Sequence, residues 1–336
     1  MKVLFSDVTY SYLFPGGKQV HAEKLFKNLK KIGVDVAYEN WYDPDLAGEI
    51  VHFFGFNDFN KIKTLKNRGY KLVYTHILDG LTNLSVSKLK YHFYKNRIIE
   101  RLPNKFNPIF PWKALKYFDA LIYMHENDRK TGIKLYGLDP KKTHVIPHAV
   151  DSLDKFKGNF EDGNTHTSNQ KFLVSLGSIV PRKNPAFLAK LCKDNNVPIK
   201  FIGHPFDKNA VYFKEFIKYT DNDFVQYLGF ISEEEKIDIL KAASGFVLLS
   251  FGESGCISVY EAGATGLPLL LSDLPWAKGY ENPRSIFYCS PSNYKKAGEA
   301  LVNFYKKSIR LKSPSFDIHT WEEVANMYKE IYHLIL

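Results

Sequence analysis

Cysteine is scarce in this chain of 336 residues: three in all, Cys192, Cys256 and Cys289. The count is odd and the spacing fits no metal-ligand pattern, so they read as free thiols in a reducing compartment. No apolar run approaches the ~20 residues of a membrane-spanning helix. The longest runs, such as "FVLL" and "LPLLL", are strand-sized. The amino terminus, "MKVLFSDVTY", has only a short apolar stretch before Asp7 and reads as a first strand rather than a signal peptide. The cytoplasm is therefore the expected location. No Gly-x-Gly-x-x-Gly fingerprint is present, and no acidic residue follows at dinucleotide spacing, so a nicotinamide cofactor is not expected.

What is there is an ordinary globular composition, 45% hydrophobic and 24% charged, in a length that suits two domains. The net charge is +10, and it is lopsided. The first 160 residues carry 26 Lys and Arg against 16 Asp and Glu, whereas the remainder carries 20 of each. The first half is thus expected to meet something anionic: nucleic acid, acidic lipid or a phosphorylated acceptor.

Both halves open alike. "KVLFS", a loop ending "FPGG", and "KQVHAEKLFKNLKKIG" read as strand, loop and helix, followed by the strand "VDVAY". Ala22, Leu25, Phe26 and Leu29 follow one helix face, and Gly33 ends it as a C′ glycine. In the second half, "KFLVSLG" is the strand and "SIVPRKNP" the loop, with Asn184 as N-cap and Pro185 as first helical residue. "AFLAKLCKDN" is the helix and "PIKFIG" the next strand. Further strand–helix pairs continue in each half, and Ser232 with Glu235 forms a capping box. The polar segment "KGNFEDGNTHTSNQ" between the halves reads as a linker. The pattern is two doubly wound α/β domains in tandem, which bind ligands at the carboxyl ends of their strands.

One stretch stands out: "FVLLSFGESGCISVYEAGATGLPLLLSD", residues 246–273. It reads as strand, glycine loop, short helix, Gly-x-Pro, strand. Glu253 and Glu261 sit eight positions apart among small and apolar residues. A carboxylate can accept hydrogen bonds from two adjacent hydroxyls. Backbone N–H groups around Cys256 to Ser258, at the start of the helix, would favour a pyrophosphate.

These motifs, in order, resemble those of GT-B glycosyltransferases, and within them the retaining family 4 enzymes. The resemblance rests on "PGGKQVHAEKLFKNLKKIG", "VYTH" at 73–76, "ALIYMHEN…GLDPKKTHVIPHAVD", "GSIVPRKNP", "YLGFISEEE", "GESGCISVYEAGATGLP" and the tail "HTWEEVANMYKEIY". It implies two Rossmann-like domains facing across a cleft. Residues 1–160, with a terminal helix at about 318–336 packing back, would form the acceptor side. Residues 165–317 would bind the nucleotide-sugar donor. It implies that Glu253 binds hydroxyls of the transferred sugar and Glu261 those of the ribose. Lys183 would be the phosphate lysine, Arg182 a further phosphate contact, and His76 a neighbour of the donor sugar. Gly16 and Gly17 would form the phosphate-side loop of the first domain, with Gly255, Cys256 and Ile257 along the donor. The expected donor is a UDP- or GDP-sugar, with no bound cofactor and no metal. No Asp-x-Asp reads as the metal-binding motif of metal-dependent glycosyltransferases of the other major fold; Asp43 and Asp45 in "YDPDL" flank a proline and read as a turn. Ser178 stands where the family commonly has arginine, Gly255 and Cys256 where an aromatic and a glycine are common, and His148-Ala149 where Asn-Gly is usual.

Residues 85–117 hold eight Lys and Arg against one acid, Glu100, with Tyr91, Phe93, Tyr94, Phe106, Phe110 and Trp112 interleaved. Leu89, Phe93 and Ile98 with Arg97 would give a helix a partly apolar, basic face. This suits a peripheral contact with anionic membrane, on the inner face of the cytoplasmic membrane, or an acceptor surface. Interleaved bases and aromatics also suit single-stranded nucleic acid, but no nucleic-acid motif accompanies them, so nucleic acid is not expected as a partner. The function expected is a retaining, metal-independent transfer of a sugar to an acceptor hydroxyl in polysaccharide, lipopolysaccharide or glycolipid assembly. The alternative is a non-catalytic GT-B-like scaffold for another glycosyltransferase.

Overall fold

The computed structural model describes residues 1–7, 16–40, 42–43, 47–55, 58–75, 83–156, 171–280, 284–307 and 309–336. The expected linker, 157–170, lies outside the described residues, as does His76. The chain divides into two compact units, residues 1–148 with 319–336, and residues 149–318.

The first unit runs β1 (Lys2–Asp7), α1 (Gly17–Lys31), β2 (Asp35–Tyr38), β3 (Ile50–Phe54), α2 (Phe59–Asn67), β4 (Lys71–Thr75), α3 (Val86–Glu100), β5 (Ala120–Tyr123), α4 (Glu126–Tyr136) and β6 (Thr143–Val145). Two consecutive 3₁₀ helices, Asn104–Ile109 and Pro111–Tyr117, connect α3 to β5. The strands form one parallel sheet in the order β2-β1-β3-β4-β5-β6. β3 and β5 are buried along their whole length, as strands covered on both faces must be. Helix α1 turns His21, Ala22, Leu25 and Leu29 inward, and Gly33 follows its end at φ 80°, where a side chain would be strained.

The second unit runs β7 (Ala149–Val150), α5 (Leu153–Phe156), β8 (Leu173–Leu176), α6 (Pro185–Asp194), β9 (Ile199–Ile202), α7 (Val211–Ile217), β10 (Val225–Gly229), α8 (Glu233–Ala242), β11 (Gly245–Leu248), α9 (Ile257–Ala264), β12 (Leu269–Ser272), β13 (Ile286–Cys289) and α10 (Tyr294–Lys307). Its parallel sheet has the order β10-β9-β8-β11-β12-β13. Alternate strand residues feed two cores. Leu173, Val247 and Leu270 join Leu188 and Leu301 on one face; Val174, Phe246 and Leu271 join Val259 and Tyr260 on the other. The change of unit falls at 148/149, ahead of the boundary expected near 160. The reason is packing: Val150 and Phe156 are buried in the same core as Val259 and Tyr260.

The capping box of Ser232 and Glu235 is formed at the start of α8. Asn184 corrects its expected role. It occupies the N-cap position of α6, but with φ 58° and no side-chain cap bond. Its Nδ2 instead donates to Pro291 O at 2.8 Å, which pins the loop after β8. Pro185 is the first residue of α6, where its missing N–H costs nothing.

A last helix, α11 (Trp321–Ile335), belongs to the first unit and packs on α1. Its Tyr332 hydroxyl lies 2.7 Å from His52 Nδ1, whose Nε2 lies 2.8 Å from Thr75 Oγ1. Tyr328 Oη is 3.2 Å from both Thr75 Oγ1 and His21 Nε2, and His21 Nδ1 is 3.0 Å from His148 Nδ1. Burial pushes both His21 and His52 down to about 3, so the network holds neutral imidazoles at neutral pH.

Candidate functional site

In the second sheet, the strand order reverses between β8 and β11. Connections leave such neighbours in opposite directions, so a crevice opens at their carboxyl ends. The loops after these two strands meet there: Phe251 N donates to Arg182 O at 2.8 Å. The loop after β8 closes in a 3₁₀ turn, Pro181–Lys183. It folds back so that the Lys183 stem lies over Gly177, where an added Cβ would come within 2.8 Å of Lys183 Cδ.

Lys183, Arg182 and Glu253 form one charge cluster around the buried Glu253 carboxylate. Lys183 Nζ is 2.9 Å from Glu253 Oε1, and Arg182 Nη1 is 3.0 Å from Glu253 Oε2. The Glu253 side chain is only 6% exposed, against 38% for Arg182. Burial favours the neutral acid, but Lys183 and Arg182 outweigh it and hold the Glu253 carboxyl below its ordinary range. Burial likewise opposes the Lys183 ammonium, and Cys256 and Glu253 outweigh it, so the lysine stays charged. Within this trio two cations face one carboxylate.

Cys256 stands at the N-cap of α9, its Sγ 3.6 Å from Lys183 Nζ and 3.1 Å from Ser258 Oγ. Its backbone N–H is not available to a ligand, contrary to the expectation for that stretch: it donates to Tyr280 Oη at 3.1 Å. Tyr280 lies 24 positions away and carried no motif, so only the fold connects them. Glu261, in the second turn of α9, pairs with Lys236 Nζ at 2.7 Å. Burial raises the Glu261 carboxyl above its ordinary range despite Lys236. Lys236 was missed because it reads as one of the charges in the capped helix "SEEEK".

The same strand ends hold groups without a sequence signature. Strands β8, β9 and β10 run into Gly177, Gly203 and Gly229, and a Cβ at Gly203 would sit 2.1 Å from Gly177 O. Ile179 N donates to His204 O at 3.0 Å, joining this rim to the Lys183 loop. The His204 ring lies 6.4 Å from Phe206 and 6.1 Å from Phe230, both well exposed. Its Nε2 is buried with no hydrogen-bond partner among the described residues. A buried nitrogen of this kind calls for a partner, supplied by a water or by a ligand atom.

Of the expected site residues, Arg182, Lys183, Glu253 and Cys256 are brought together. Gly255 and Ile257 flank Cys256 in sequence, and Glu261 lies one turn on. Gly16 and Gly17 open α1 in the first unit, following the carboxyl end of β1 at that sheet's own order reversal, and among the described residues nothing lies within 4 Å of a Cβ built at either.

Residues 157–314 match the family model described as glycosyl transferases group 1. The matched segment is similar to that family over somewhat less than half of the chain. The chain is 28% identical over 235 residues to the Escherichia coli UDP-Gal:alpha-D-GlcNAc-diphosphoundecaprenol alpha-1,3-galactosyltransferase, covering 63% of this chain and 60% of that enzyme. Both shares are below two thirds, so the likeness spans part of each protein. Among solved structures, sucrose-phosphate synthase from Thermosynechococcus elongatus is similar at TM-score 0.71 and 15% identity, covering 100% of this chain and 99% of that one. Anabaena HepE in complex with UDP is similar at TM-score 0.68 and 15% identity, over 99% and 100% of the two chains. The fold of the two units is that of GT-B glycosyltransferases, two Rossmann-like α/β units.

Proposed function

We propose that the protein is a retaining glycosyltransferase that moves a sugar from a UDP-sugar to a hydroxyl of a lipid-diphosphate-linked glycan. The observation that carries this reading is the Lys183–Arg182–Glu253 cluster at the strand-order reversal of the second unit. The E. coli relative is named for a UDP-sugar donor and a diphospholipid-linked acceptor, and HepE is titled as a UDP complex, which supports the choice of both.

In this reading the diphosphate lies over the glycine rim against Lys183 and Arg182. Arg182, the more exposed of the two, turns from Glu253 to a phosphate oxygen, which leaves one Glu253 oxygen for a sugar hydroxyl. The nucleobase reaches Phe230 and stacks on it, and His204 Nε2 meets its edge. Glu261 accepts the ribose hydroxyls. During transfer the bond between the sugar C1 and the diphosphate oxygen breaks, and the acceptor oxygen bonds to C1 from the same face. The acceptor proton passes to the departing phosphate oxygen, so no carboxylate nucleophile is used. The negative charge that develops on the diphosphate is met by Lys183, held in place beforehand, and by Arg182 once it has turned to the phosphate, which makes a metal ion dispensable.

The test is release of nucleoside diphosphate from a panel of UDP-, GDP- and ADP-sugars, with EDTA, with and without lipid extract. Release from one UDP-sugar that survives EDTA and collapses in Lys183→Ala and Glu253→Ala is the expected result. Absence of release and of nucleotide binding with every donor would overturn the reading and favour the scaffold.

A further inference from the structure

Helix α3 has two apolar faces. Leu89 packs against the first unit's core and Ile99 is buried, with Asn96 between them donating to Leu135 O at 3.0 Å. The opposite side also carries large apolar groups: Tyr91, Tyr94 and Ile98 are 64%, 65% and 66% exposed. They stand three and four residues apart, so they form one stripe along the outer surface. This corrects the face expected from sequence, which grouped Leu89 and Phe93 with Ile98. Leu89 turns to the core, and Phe93 is covered by the Arg97 guanidinium at 5.1 Å. Leu102 and Ile109, just beyond the helix, extend the exposed apolar area.

Charge lines both edges of the stripe. Lys88 and Lys95 lie a turn either side of Tyr91 on one edge; Lys90, Arg97 and Arg101 lie a turn from Tyr94 or Ile98 on the other. Arg97 pairs with Glu100 at 3.4 Å. Lys88, Lys90, Lys95 and Arg101 are exposed and make no ion pair among the described residues. Beside Lys95 a half-open cavity of about 260 Å³ lies between α3 and the 3₁₀ helices, lined by His92, Ile109, Phe110 and Trp112 among others.

We propose that this outer face of α3 docks on an anionic lipid bilayer, with the helix lying in the interface plane. An apolar stripe with cations on both edges fits that one occupant. The tyrosines and Ile98 enter the headgroup–acyl boundary, while the long basic side chains reach up to phosphates on either side. Cations along both flanks of a narrow apolar strip match the anionic headgroups that lie on either side of a helix seated in the interface. The cavity beside Lys95 gives part of one lipid headgroup room to seat below the helix surface. Docking uses no residue of the proposed transfer site and needs no donor, so it stands or falls apart from the transfer reading.

The experiment is co-sedimentation of the whole chain with vesicles of phosphatidylcholine alone or mixed with phosphatidylglycerol. Binding only to the mixed vesicles, weakened by salt, is expected. Each of Lys88→Gln, Lys95→Gln and Arg101→Gln should weaken it about fivefold. Tyr94→Ser with Ile98→Ser should abolish binding while UDP binding and the thermal midpoint hold, since both side chains are exposed. Val211→Ser, an exposed apolar group on the second unit, should change nothing. Equal binding to both vesicle types, binding that ignores the stripe variants, or no vesicle binding with salt-sensitive oligonucleotide binding in its place would overturn the proposal.

Discussion

Acidification should unfold the first unit through the histidines that α11 covers. His21 and His52 are buried and pushed down to about 3, by burial in both and additionally by each other's proximity in His21. In the unfolded chain each titrates near an ordinary ~6.5. As pH falls below that value the unfolded chain binds protons that the folded chain refuses. Stability is therefore full above about pH 6.5 and is lost progressively down to about 3, at ~1.4 kcal/mol per pH unit per histidine. The pair together contribute ~2.7 kcal/mol per unit, so two units of acidification approach ~5 kcal/mol, the low end of a domain's whole stability. Urea unfolding at a series of pH values measures this. Tryptophan fluorescence is a suitable probe because Trp321 on α11 lies 5.2 Å from the His21 ring. The double variant His21→Gln, His52→Gln should be less stable at pH 7.5 yet have an acid limb shallower by that ~2.7 kcal/mol per unit. The single variant His52→Gln should show about half the change, which keeps the test available if the double variant fails to fold. Parallel acid limbs in wild type and both variants would refute the argument, because the proton uptake would then lie elsewhere.

Further outcomes follow from the second unit. Lys183→Ala should cost roughly 10²–10³ in transfer rate, read as diphosphate release, because a fixed charge facing the leaving group is lost. Glu253→Gln should lose transfer too, and it should weaken the unit by up to ~3–5 kcal/mol in urea, because two cations are left without their buried carboxylate. An unchanged midpoint would show that the two cations find other partners. Phe230→Ala should weaken UDP binding by ~1–3 kcal/mol in calorimetry, the scale of one base–aromatic stack, and His204→Ala should weaken it too; equal affinity in both would remove the base from this rim. Gly203→Ala should leave the second unit unable to fold or destabilised by ~3 kcal/mol or more, because a methyl group cannot share space with Gly177 O and φ 144° is strained for alanine. A thermal melt within a degree of wild type would refute that.

Local order was open to reading from the chain alone. The helix stripe of Ala22, Leu25 and Leu29, the Gly33 stop, Pro185 at the first turn of α6 and the Ser232–Glu235 box depend on neighbours within a turn or two. Alternation of strand and helix in both halves then leads to two parallel doubly wound sheets, since parallel neighbours need a helical crossover. The order of motifs also pointed to Lys183, Arg182 and Glu253. Their mutual pairing was not legible, because Lys183 and Glu253 are 70 positions apart and meet only where the strand order reverses. Asn184 reads locally as a capping residue, but the loop turns its amide to Pro291. Residues 85–117 show why composition misleads: charge and aromatic content suggested a surface, but which aromatics face outward depends on what packs beneath α3. Short-range periodicity and composition were enough for the elements, their alternation and the sign of the charge in each half. Packing at long range was needed to bring His52 to Tyr332, 280 residues on, to turn the Cys256 N–H to Tyr280, and to leave His204 Nε2 beside Phe230 without a partner among the described residues. Those contacts come from sheet order and helix docking, which bring together groups that no local pattern relates.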